Sequence, residues 1–249
     1  MGQNPGKIIC AGLGPGDPDL ISVRADRAIR GARQIAYFRK KGRSGQARRI
    51  VADLLAADVI EHAMEYPVTV EIPFASPEYN RLLAEFYDDW TARLVDLARA
   101  GDVVVLCEGD PLFYGSFMHL HARLQGLVEV DVIPGIPGMT GCWNAVGQPM
   151  TWGDDAMTVL MGTLSETDLT RHITAADAVV VMKTGRNLPK IARALQAAGR
   201  LSDAWLVERG TMPNQRLTPL AQADLDACPY FATVLVHGHG RRPLADAAE

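Results

Sequence analysis

The most constraining feature of the sequence is an apolar run that ends in a glycine-rich loop and leads into a helical pattern. Residues 7–14 read KIICAGLG, a short run with the length and composition of a buried strand. Apolar residues then recur at three- and four-residue spacing between Leu20 and Ile29, which predicts an amphipathic helix. A strand, a glycine loop and a helix in this order are typical of the first unit of an α/β fold.

The same alternation continues through the first half of the chain. Ser76 precedes a proline and an acidic first turn, and Gly101 ends the apolar pattern, so this segment predicts the longest helix. The run Val103–Cys107 that follows is wholly apolar, as expected of a parallel strand buried on both faces. The other predicted elements of this half are strands at 34–38 and 128–133 and a helix at 45–56.

A stretch rich in proline and glycine, Pro134–Gly138, predicts a domain boundary. We therefore expect two α/β domains joined by a short linker, at residues 1–134 and 135–249. In the second domain, strands that pair in antiparallel fashion are an open alternative. The sequence predicts four strands there, at 156–162, 177–183, 203–208 and 231–238, with one clear helix at 188–199 and longer irregular segments.

The composition limits the classes of protein that this chain can belong to. Its 249 residues are 48% hydrophobic and 22% charged, which suits the cores of two ordinary α/β domains. The formal net charge of −4 argues against nucleic-acid binding, which needs a basic surface. The sequence shows neither a membrane-length apolar run nor a signal peptide, so we expect a cytoplasmic protein without a membrane partner. The four cysteines are widely spaced and are predicted to be reduced thiols.

The first glycine loop, Gly12–Pro18, is unsuited to binding phosphate. A dinucleotide-binding loop has the pattern GxGxxG and presents free backbone N–H groups at a helix N-terminus. Here the third glycine position is Asp17, whose carboxylate would repel a phosphate, and Pro15 and Pro18 have no N–H. The loop is therefore either a tight structural turn or part of a site that does not bind phosphate.

A second loop, Glu108–Ser116, also follows a buried strand and repeats the Gly-Asp-Pro triplet. Ligands of open α/β sheets bind at the carboxyl ends of strands, so the two loops predict one shared crevice. Asp110 is suited to accept hydrogen bonds from an amine or a ribose hydroxyl. The alternative is structural: Asp110 would cap the following helix, while Phe113 and Tyr114 would simply pack.

Four segments, in this order and at these separations, carry a resemblance to a known family: GLGPGDPDLIS, GDPLFYGS, PGIPGM and VERGTMPNQR. Together they resemble the tetrapyrrole (class III) methyltransferases over essentially the whole chain. The resemblance implies a homodimer and S-adenosyl-L-methionine as the methyl donor, bound in a crevice between two α/β domains. It implies that residues 1–134 carry the substrate-facing loops and that residues 135–249 complete the cofactor site.

The cofactor-binding positions of the family fall on loops of both predicted domains. One departure is clear. Many relatives have a Thr-Ser or Thr-Ala pair where this chain has Pro137-Gly138, so a hydroxyl contact to the cofactor must be replaced or absent. The positions implied by the resemblance are Pro15, Gly109, Asp110, Pro111, Tyr114, Gly138, Met139, Met182, Gly210 and Gly238.

A basic segment after the second predicted strand resembles the loop of those family members that methylate carbon 20 of the ring. It has six basic residues within the eleven positions 39–49, a local positive patch on an otherwise acidic protein. Such a patch suits a polycarboxylate such as precorrin-2. The alternative is an ordinary solvated charge run. The residues expected to bind substrate carboxylates are Arg39, Lys40, Lys41, Arg43 and Arg48.

The histidines are not expected to bind a metal. His119 and His121 are two residues apart on a predicted helix, so they do not share a face. His237 and His239 have no carboxylate or cysteine at a matching spacing. We therefore predict that the protein has no metal cofactor.

The implied reaction moves a methyl group from a sulfonium to an electron-rich ring carbon, so the protein mainly has to align the two reactants. Tyr114 and Glu108 are candidates for accepting the proton that leaves the methylated ring, and the sequence does not select between them and water. The alternatives are a cobalt-containing substrate, cobalt-factor II, methylation of another ring carbon, and a non-catalytic sensor protein that binds the same cofactor.

Overall fold

The computed structural model describes residues 6–69, 72 and 76–241. The chain forms two compact units, Met1–Gly138 and Met139–Glu249. Helices and strands alternate in both units, and each unit contains a five-stranded sheet. The predicted α/β class is therefore confirmed.

The first unit is built on a sheet in which all neighbouring strands are parallel. Its elements are β1 (Ile8–Gly12), α1 (Val23–Arg30), β2 (Gln34–Lys40), α2 (Gln46–Ile50), β3 (Ile60–Tyr66), α3 (Pro77–Ala98), β4 (Val103–Cys107), α4 (Phe117–Leu124) and β5 (Val130–Ile133). Across the sheet the order is β3-β2-β4-β1-β5, so β1 lies between β4 and β5.

Capping residues and apolar runs place these elements where the sequence predicts them. The Ser76 hydroxyl accepts a hydrogen bond from the Tyr79 N–H at 3.1 Å, and Pro77 occupies the first turn of α3. Every residue of β4 is buried, because alternate side chains enter two different hydrophobic clusters. Val103 and Val105 pack in one cluster, and Val104 and Leu106 in the other.

Two features of the first unit differ from the prediction. The sequence pattern does not predict β3, which forms the edge of the sheet and carries the charged residues Glu61 and Glu65. An edge strand with polar side chains lacks the continuous apolar pattern of a buried strand. Helix α2 was predicted to run to residue 56, but it ends at Ile50 and a series of turns follows.

The second unit has a mixed sheet with the strand order β6-β7-β10-β8-β9. The β6 and β7 strands are parallel, whereas β10 is antiparallel to both of its neighbours and β9 is antiparallel to β8. The antiparallel alternative is therefore the observed one. The elements are α5 (Gly138–Val146), which begins at the boundary residue, β6 (Met157–Met161), α6 (Glu166–Ala175), β7 (Ala178–Met182), α7 (Leu188–Ala197), β8 (Ala204–Glu208), β9 (Arg216–Pro219) and β10 (Ala232–Val236).

Three of these elements, α5, α6 and β9, are absent from the sequence prediction. Helix α6 begins with a cap, because the Ser165 hydroxyl accepts a hydrogen bond from the Asp168 N–H at 3.1 Å. Its threonines, Thr170 and Thr174, donate hydrogen bonds to carbonyls four residues earlier at 2.9 and 2.8 Å. Threonine has a modest helix propensity, so the composition pointed to irregular structure although the cap and the apolar face were present.

Three of the four cysteines, Cys10, Cys107 and Cys142, are buried, Cys228 is partly buried, and all four are free thiols. Burial raises the pKa of the Cys10 and Cys142 thiols, which keeps them protonated. In the part of the chain that the structure describes, no helix has both the length and the apolar character needed to span a bilayer.

Backbones approach very closely where the chain leaves the carboxyl ends of β1, β4 and β5. Leu13 donates a backbone hydrogen bond to the Cys107 carbonyl at 2.9 Å. Gly14 and Gly109 exchange two more, at 3.4 and 2.8 Å. A Cβ atom placed on Gly135 would lie only 2.1 Å from the Gly109 carbonyl oxygen and 2.8 Å from the Gly12 carbonyl carbon. No side chain fits at Gly135 unless these backbones separate.

We predict that Gly135→Ala lowers the free energy of unfolding by about 3 kcal/mol or more, because the added methyl group would meet rigid backbone. Chemical denaturation of the purified variant measures this change. Gly138→Ala is the matched control, since a Cβ atom there meets nothing within 4 Å. Equal stability of the two variants would contradict the observed packing.

Candidate cofactor and substrate site

The Asp110 carboxylate joins the loop after β4 to the loop after β5. One oxygen accepts a hydrogen bond from the Leu112 N–H at 2.9 Å, and the other accepts one from the Gly135 N–H at 3.1 Å. The predicted alternative, in which Asp110 caps the following helix, is wrong, because the residue that precedes α4 is Ser116. The carboxylate therefore holds the two loops together rather than ending a helix.

The remaining loop residues of the first unit lie around this contact. Pro15 and Pro111 are buried, and a Cβ atom on Gly12 would lie 2.9 Å from the Pro111 ring. The backbone N–H groups of Gly14 and Gly109 are directed at each other's carbonyl oxygens. These two N–H groups are thus already used, which agrees with the expectation that the loop does not bind phosphate.

Tyr114 has a left-handed backbone conformation, with φ of 54°, and 46% of its surface is exposed. Its ring meets that of Phe113 edge to face, with 4.9 Å between the ring centroids. Interior packing was the structural alternative for this aromatic pair, and the exposure of Tyr114 does not support it. Tyr114 instead presents its ring to solvent from the loop after β4.

Four non-glycine residues among those described have a positive φ, and each lies in a loop that follows the carboxyl end of a strand. Such a conformation is strained for any residue with a Cβ atom, and most of all for a β-branched residue. Strain of this kind concentrates at functional sites. The four residues are Tyr114 after β4, Lys183 after β7, and Arg209 and Thr211 after β8.

In the second unit, Met182 and Gly210 lie at the same end of the sheet, where β7 and β8 finish. Both β7 and β8 are antiparallel to β10, which lies between them, so their carboxyl ends point the same way. Gly210 packs against α5, where a Cβ atom on Gly210 would lie 2.8 Å from the Cys142 sulfur. Met139 is in the first turn of this same helix and is buried. The structure therefore brings Met139, Met182 and Gly210 to one end of this sheet.

Gly238 lies at the opposite end of the sheet, because β10 runs in the reverse direction and Gly238 comes two residues after its last residue, Val236. Its N–H donates to the Met150 carbonyl at 3.0 Å. A Cβ atom on Gly238 would lie 2.0 Å from an oxygen of Asp155, so the glycine is enclosed by this carboxylate. The geometry does not bring Gly238 together with Met182 and Gly210.

Two of the five expected substrate-binding residues are engaged in ion pairs with β3. Arg39 lies 2.6 Å from Glu65, and Arg48 lies 2.8 Å from Glu61. The Arg48 guanidinium also lowers the pKa of the Glu61 carboxyl, which keeps this partner ionised. The charges of Arg39 and Arg48 are therefore largely compensated within the protein.

The other basic residues of the segment are exposed. Lys40 ends β2, and Lys41 and Arg43 follow it in a turn. The side chains of Lys41 and Arg43 form no ion pair or hydrogen bond with residues that the structure describes. Lys40 and Lys41 line a depression of about 340 Å³ together with Glu65, Tyr66, Pro67, Val68 and Thr69.

Glu108 connects the basic segment to the second glycine loop. Its carboxylate accepts a hydrogen bond from the Ala47 N–H at 2.9 Å, at the start of α2, where Gly45 provides no side-chain cap. Although Glu108 keeps contact with solvent, the dense protein around it raises the pKa of its carboxyl, against the opposing effects of Ala47 and Arg49. Glu108 thus holds α2 beside the loop that contains Gly109.

The histidines make protein contacts. His119 stacks on Tyr87, with 4.7 Å between the ring centroids, and His121 lies 3.1 Å from Gln125. His239 lies 4.0 Å from Asp203. Within residues 6–69, 72 and 76–241, no group of three or more histidine, cysteine or acidic side chains is arranged to hold a metal ion.

The fold and the loops at its strand ends define a family. Residues 7–225 match the sequence profile of the Tetrapyrrole (Corrin/Porphyrin) Methylases. This match covers most of the chain, and the chain belongs to that family. It is a methyltransferase family, so the resemblance carried by the four motifs is confirmed.

Among individual relatives, the chain is 49% identical to a precorrin-2 C(20)-methyltransferase of Sinorhizobium sp, over 97% of this chain and 99% of that protein. It is 40% identical to the cobalamin biosynthesis protein CobIJ of Mycobacterium tuberculosis, over 96% of this chain and 47% of that longer protein. It is 25% identical to a cobalt-precorrin-2 C(20)-methyltransferase of Salmonella typhimurium, over 93% of this chain and 96% of that protein.

Solved structures show the same fold. The methyltransferase CobJ superposes with a TM-score of 0.68 at 19% identity, over 96% of this chain and 97% of that chain. A uroporphyrin-III C-methyltransferase from Thermus thermophilus, complexed with S-adenyl homocysteine, gives a TM-score of 0.63 at 22% identity, over 93% of this chain and 97% of that chain.

Asp110→Ala is predicted to lower the free energy of unfolding by about 1–3 kcal/mol, because two backbone N–H groups lose their acceptor. Asp17→Ala is the matched control. It removes the aspartate of the first Gly-Asp-Pro triplet, which accepts one local hydrogen bond, from the Asp19 N–H at 2.9 Å. Denaturant titration should show the larger loss for Asp110→Ala. A larger loss for Asp17→Ala would argue against the link to Gly135.

Proposed function

We propose that this chain transfers a methyl group from S-adenosyl-L-methionine to carbon 20 of precorrin-2, giving precorrin-3A in cobalamin biosynthesis. The observation that carries this proposal is the 49% identity to a precorrin-2 C(20)-methyltransferase, which extends over almost the full length of both proteins. The basic segment supports the same substrate, since precorrin-2 is a polycarboxylate.

The proposed cofactor residues of the first unit are Pro15, Gly109, Asp110, Pro111 and Tyr114. S-adenosyl-L-methionine has no phosphate, and these loops suit such a ligand because the N–H groups of Gly14 and Gly109 already donate to each other's carbonyl oxygens. Gly138, Met139, Met182 and Gly210 complete the proposed set. Space beside the Gly138 backbone is open, since a Cβ atom there meets nothing within 4 Å. Gly238 is left out of the proposed cofactor site because it lies at the other end of its sheet.

The reaction mainly requires the methyl donor and the ring carbon to be aligned. The bond from the sulfonium to its methyl group breaks as the ring carbon forms a new bond to that methyl, in a line through the three atoms. Holding the ring carbon about 3 to 3.5 Å from the methyl group lowers the barrier without a side-chain acid or base. Loops held by backbone contacts, such as those at Gly109 and Gly135, suit this task because they resist displacement.

Glu108 is the stronger candidate of the two for accepting the proton that leaves the methylated ring. Glu108 is exposed and directly precedes Gly109, and the pKa of its carboxyl is raised. A raised pKa makes a carboxylate a better proton acceptor near neutral pH. Tyr114 is exposed in the same loop and remains the alternative.

A direct test offers the purified protein metal-free precorrin-2 and cobalt-factor II with S-adenosyl-L-methionine, and follows the mass and absorbance of each tetrapyrrole. We expect one methyl group to be added to precorrin-2, with the lower KM for the metal-free ring. The higher identity to the Sinorhizobium relative than to the Salmonella relative supports this order. Faster methylation of cobalt-factor II, or methylation at another carbon, would favour the alternatives. Cofactor binding without methylation would favour a sensor protein.

The five proposed substrate residues of the basic segment differ in whether their charges are held in ion pairs. Lys41 and Arg43 are exposed and have no ion-pair partner among the described residues, so their charges are available to a ligand. Lys40 lies beside them. Arg39 and Arg48 would have to release Glu65 and Glu61 to bind a substrate carboxylate. We therefore assign carboxylate binding first to Lys40, Lys41 and Arg43.

Replacing Lys41 and Arg43 together by glutamine is predicted to raise the KM for precorrin-2 about fivefold or more, with S-adenosylhomocysteine affinity unchanged. Rising salt should weaken substrate binding by the wild type more than by the double variant. Steady-state kinetics at two salt concentrations measures both effects.

The matched control for this double variant replaces Arg27 and Arg33, which are exposed in α1 and directly before β2. It removes the same net charge away from the proposed site. An equal KM for the two double variants would show that the segment is an ordinary solvated charge run.

Two further proposals remain: the protein acts as a homodimer, which rests on the family resemblance, and it works in the cytoplasm, which rests on the sequence analysis. The proposed division of labour is that residues 1–134 contact the substrate and residues 135–249 complete the cofactor site.

A further inference from the structure

Lys183 is a charged residue in a conformation that favours glycine. It follows the last residue of β7, Met182, and has φ of 54°. Its side chain is exposed and forms no ion pair or hydrogen bond with the residues that the structure describes. A left-handed backbone is unfavourable for lysine and is readily adopted by glycine. A lysine kept at such a position suggests that its side chain has a task.

Contacts on several sides fix the backbone of this turn. The Met182 carbonyl accepts a hydrogen bond from the Gly162 N–H at 2.7 Å, and the Lys183 carbonyl accepts one from the Asn187 side chain at 3.1 Å. Thr184 is fully buried, and its hydroxyl donates to the Ala232 carbonyl at 3.0 Å. The turn is therefore tied to the end of β6, to β10 and to its own next residues, so the direction of the Lys183 Cα–Cβ bond is fixed.

No acidic side chain of the described residues compensates the charge of this turn through an ion pair. Residues 183–187 read KTGRN, with two cations and no acid, on a chain whose formal net charge is −4. Arg186 is also exposed, and its side chain forms no ion pair or hydrogen bond with the described residues. Arg209, the other left-handed cation, differs because its guanidinium lies 3.8 Å from the buried Glu208. Lys183 thus presents an ammonium group without a partner among the described residues, beside Met182 and at the end of the sheet that also holds Gly210.

We infer that the Lys183 ammonium group binds a carboxylate of one of the two reactants. The inference rests on the proposed function, in which both reactants carry this group: the methionine part of S-adenosyl-L-methionine has one carboxylate, and the tetrapyrrole has several. An ammonium group that projects from a fixed backbone and has no partner among the described residues suits a carboxylate, because no ion pair has to be broken and little backbone freedom is lost.

Lys183→Gln, which removes the charge, and Lys183→Arg, which keeps it, separate the two sources of the carboxylate. The probes are S-adenosylhomocysteine, 5′-methylthioadenosine, which lacks the amino-acid part, and precorrin-2. If Lys183 binds the cofactor carboxylate, Lys183→Gln weakens S-adenosylhomocysteine about tenfold and leaves 5′-methylthioadenosine unchanged in calorimetric titration. If it binds the substrate, the KM for precorrin-2 rises instead. In either case Lys183→Arg retains most of the affinity.

Lys190→Gln is the matched control, because it removes the same charge from a residue in α7 that has ordinary helical backbone. A variant Lys183→Gln that behaves like Lys190→Gln towards all three probes would overturn the inference while the proposed function stands. A wild-type protein that binds neither S-adenosylhomocysteine nor precorrin-2 would overturn both.

Lys183→Gly adds a readout that distinguishes ligand binding from a structural role. Glycine relieves the left-handed strain, so we expect the ligand-free variant to melt at a higher temperature than the wild type. The same variant should lose the carboxylate-dependent affinity. A lower melting temperature would show that the Lys183 side chain supports the fold, which would contradict the inference.

Discussion

The close approach of three backbones at the carboxyl ends of β1, β4 and β5 is the constraint on which the first unit depends. Gly12 and Gly135 let these segments meet at distances that no side chain permits, and Gly14 and Gly109 exchange hydrogen bonds there. Asp110 then binds the Gly135 N–H that this packing leaves available. Because the N–H groups of Gly14 and Gly109 donate to each other's carbonyl oxygens, this end of the sheet is held together and offers fewer donors to a phosphate.

The sequence predicted every interior strand of the two sheets, and the two strands that it missed, β3 and β9, both lie at the edge of a sheet. The β4 strand is apolar throughout, so its pattern is unmistakable. The β3 strand carries acidic residues along an edge, and its role becomes visible only when Glu61 and Glu65 are seen beside Arg48 and Arg39. A local pattern cannot show such pairs, because the partners are distant in sequence and are joined only by the register of neighbouring strands.

The same limit explains which site residues the sequence could predict. The glycine loops have a distinctive local composition, and the structure brings them together as expected. Whether a basic residue is free or paired depends on its neighbours in space, so one basic run contains both compensated and available charges. Gly238 illustrates a second limit, since a strand pattern does not reveal strand direction. Because β10 runs antiparallel to β7 and β8, this residue lies at the end of the sheet opposite Met182.

Backbone strain gives evidence about the site that is independent of motif resemblance. The four left-handed non-glycine residues of the described chain could each adopt this conformation more easily as glycine, and each follows the carboxyl end of a strand. Tyr114 is itself a proposed cofactor residue, Lys183 follows Met182, and Arg209 and Thr211 flank Gly210. Resemblance and strain therefore select the same loops in both units. Since strain opposes folding, its concentration at these loops is best explained by the side chains that it presents.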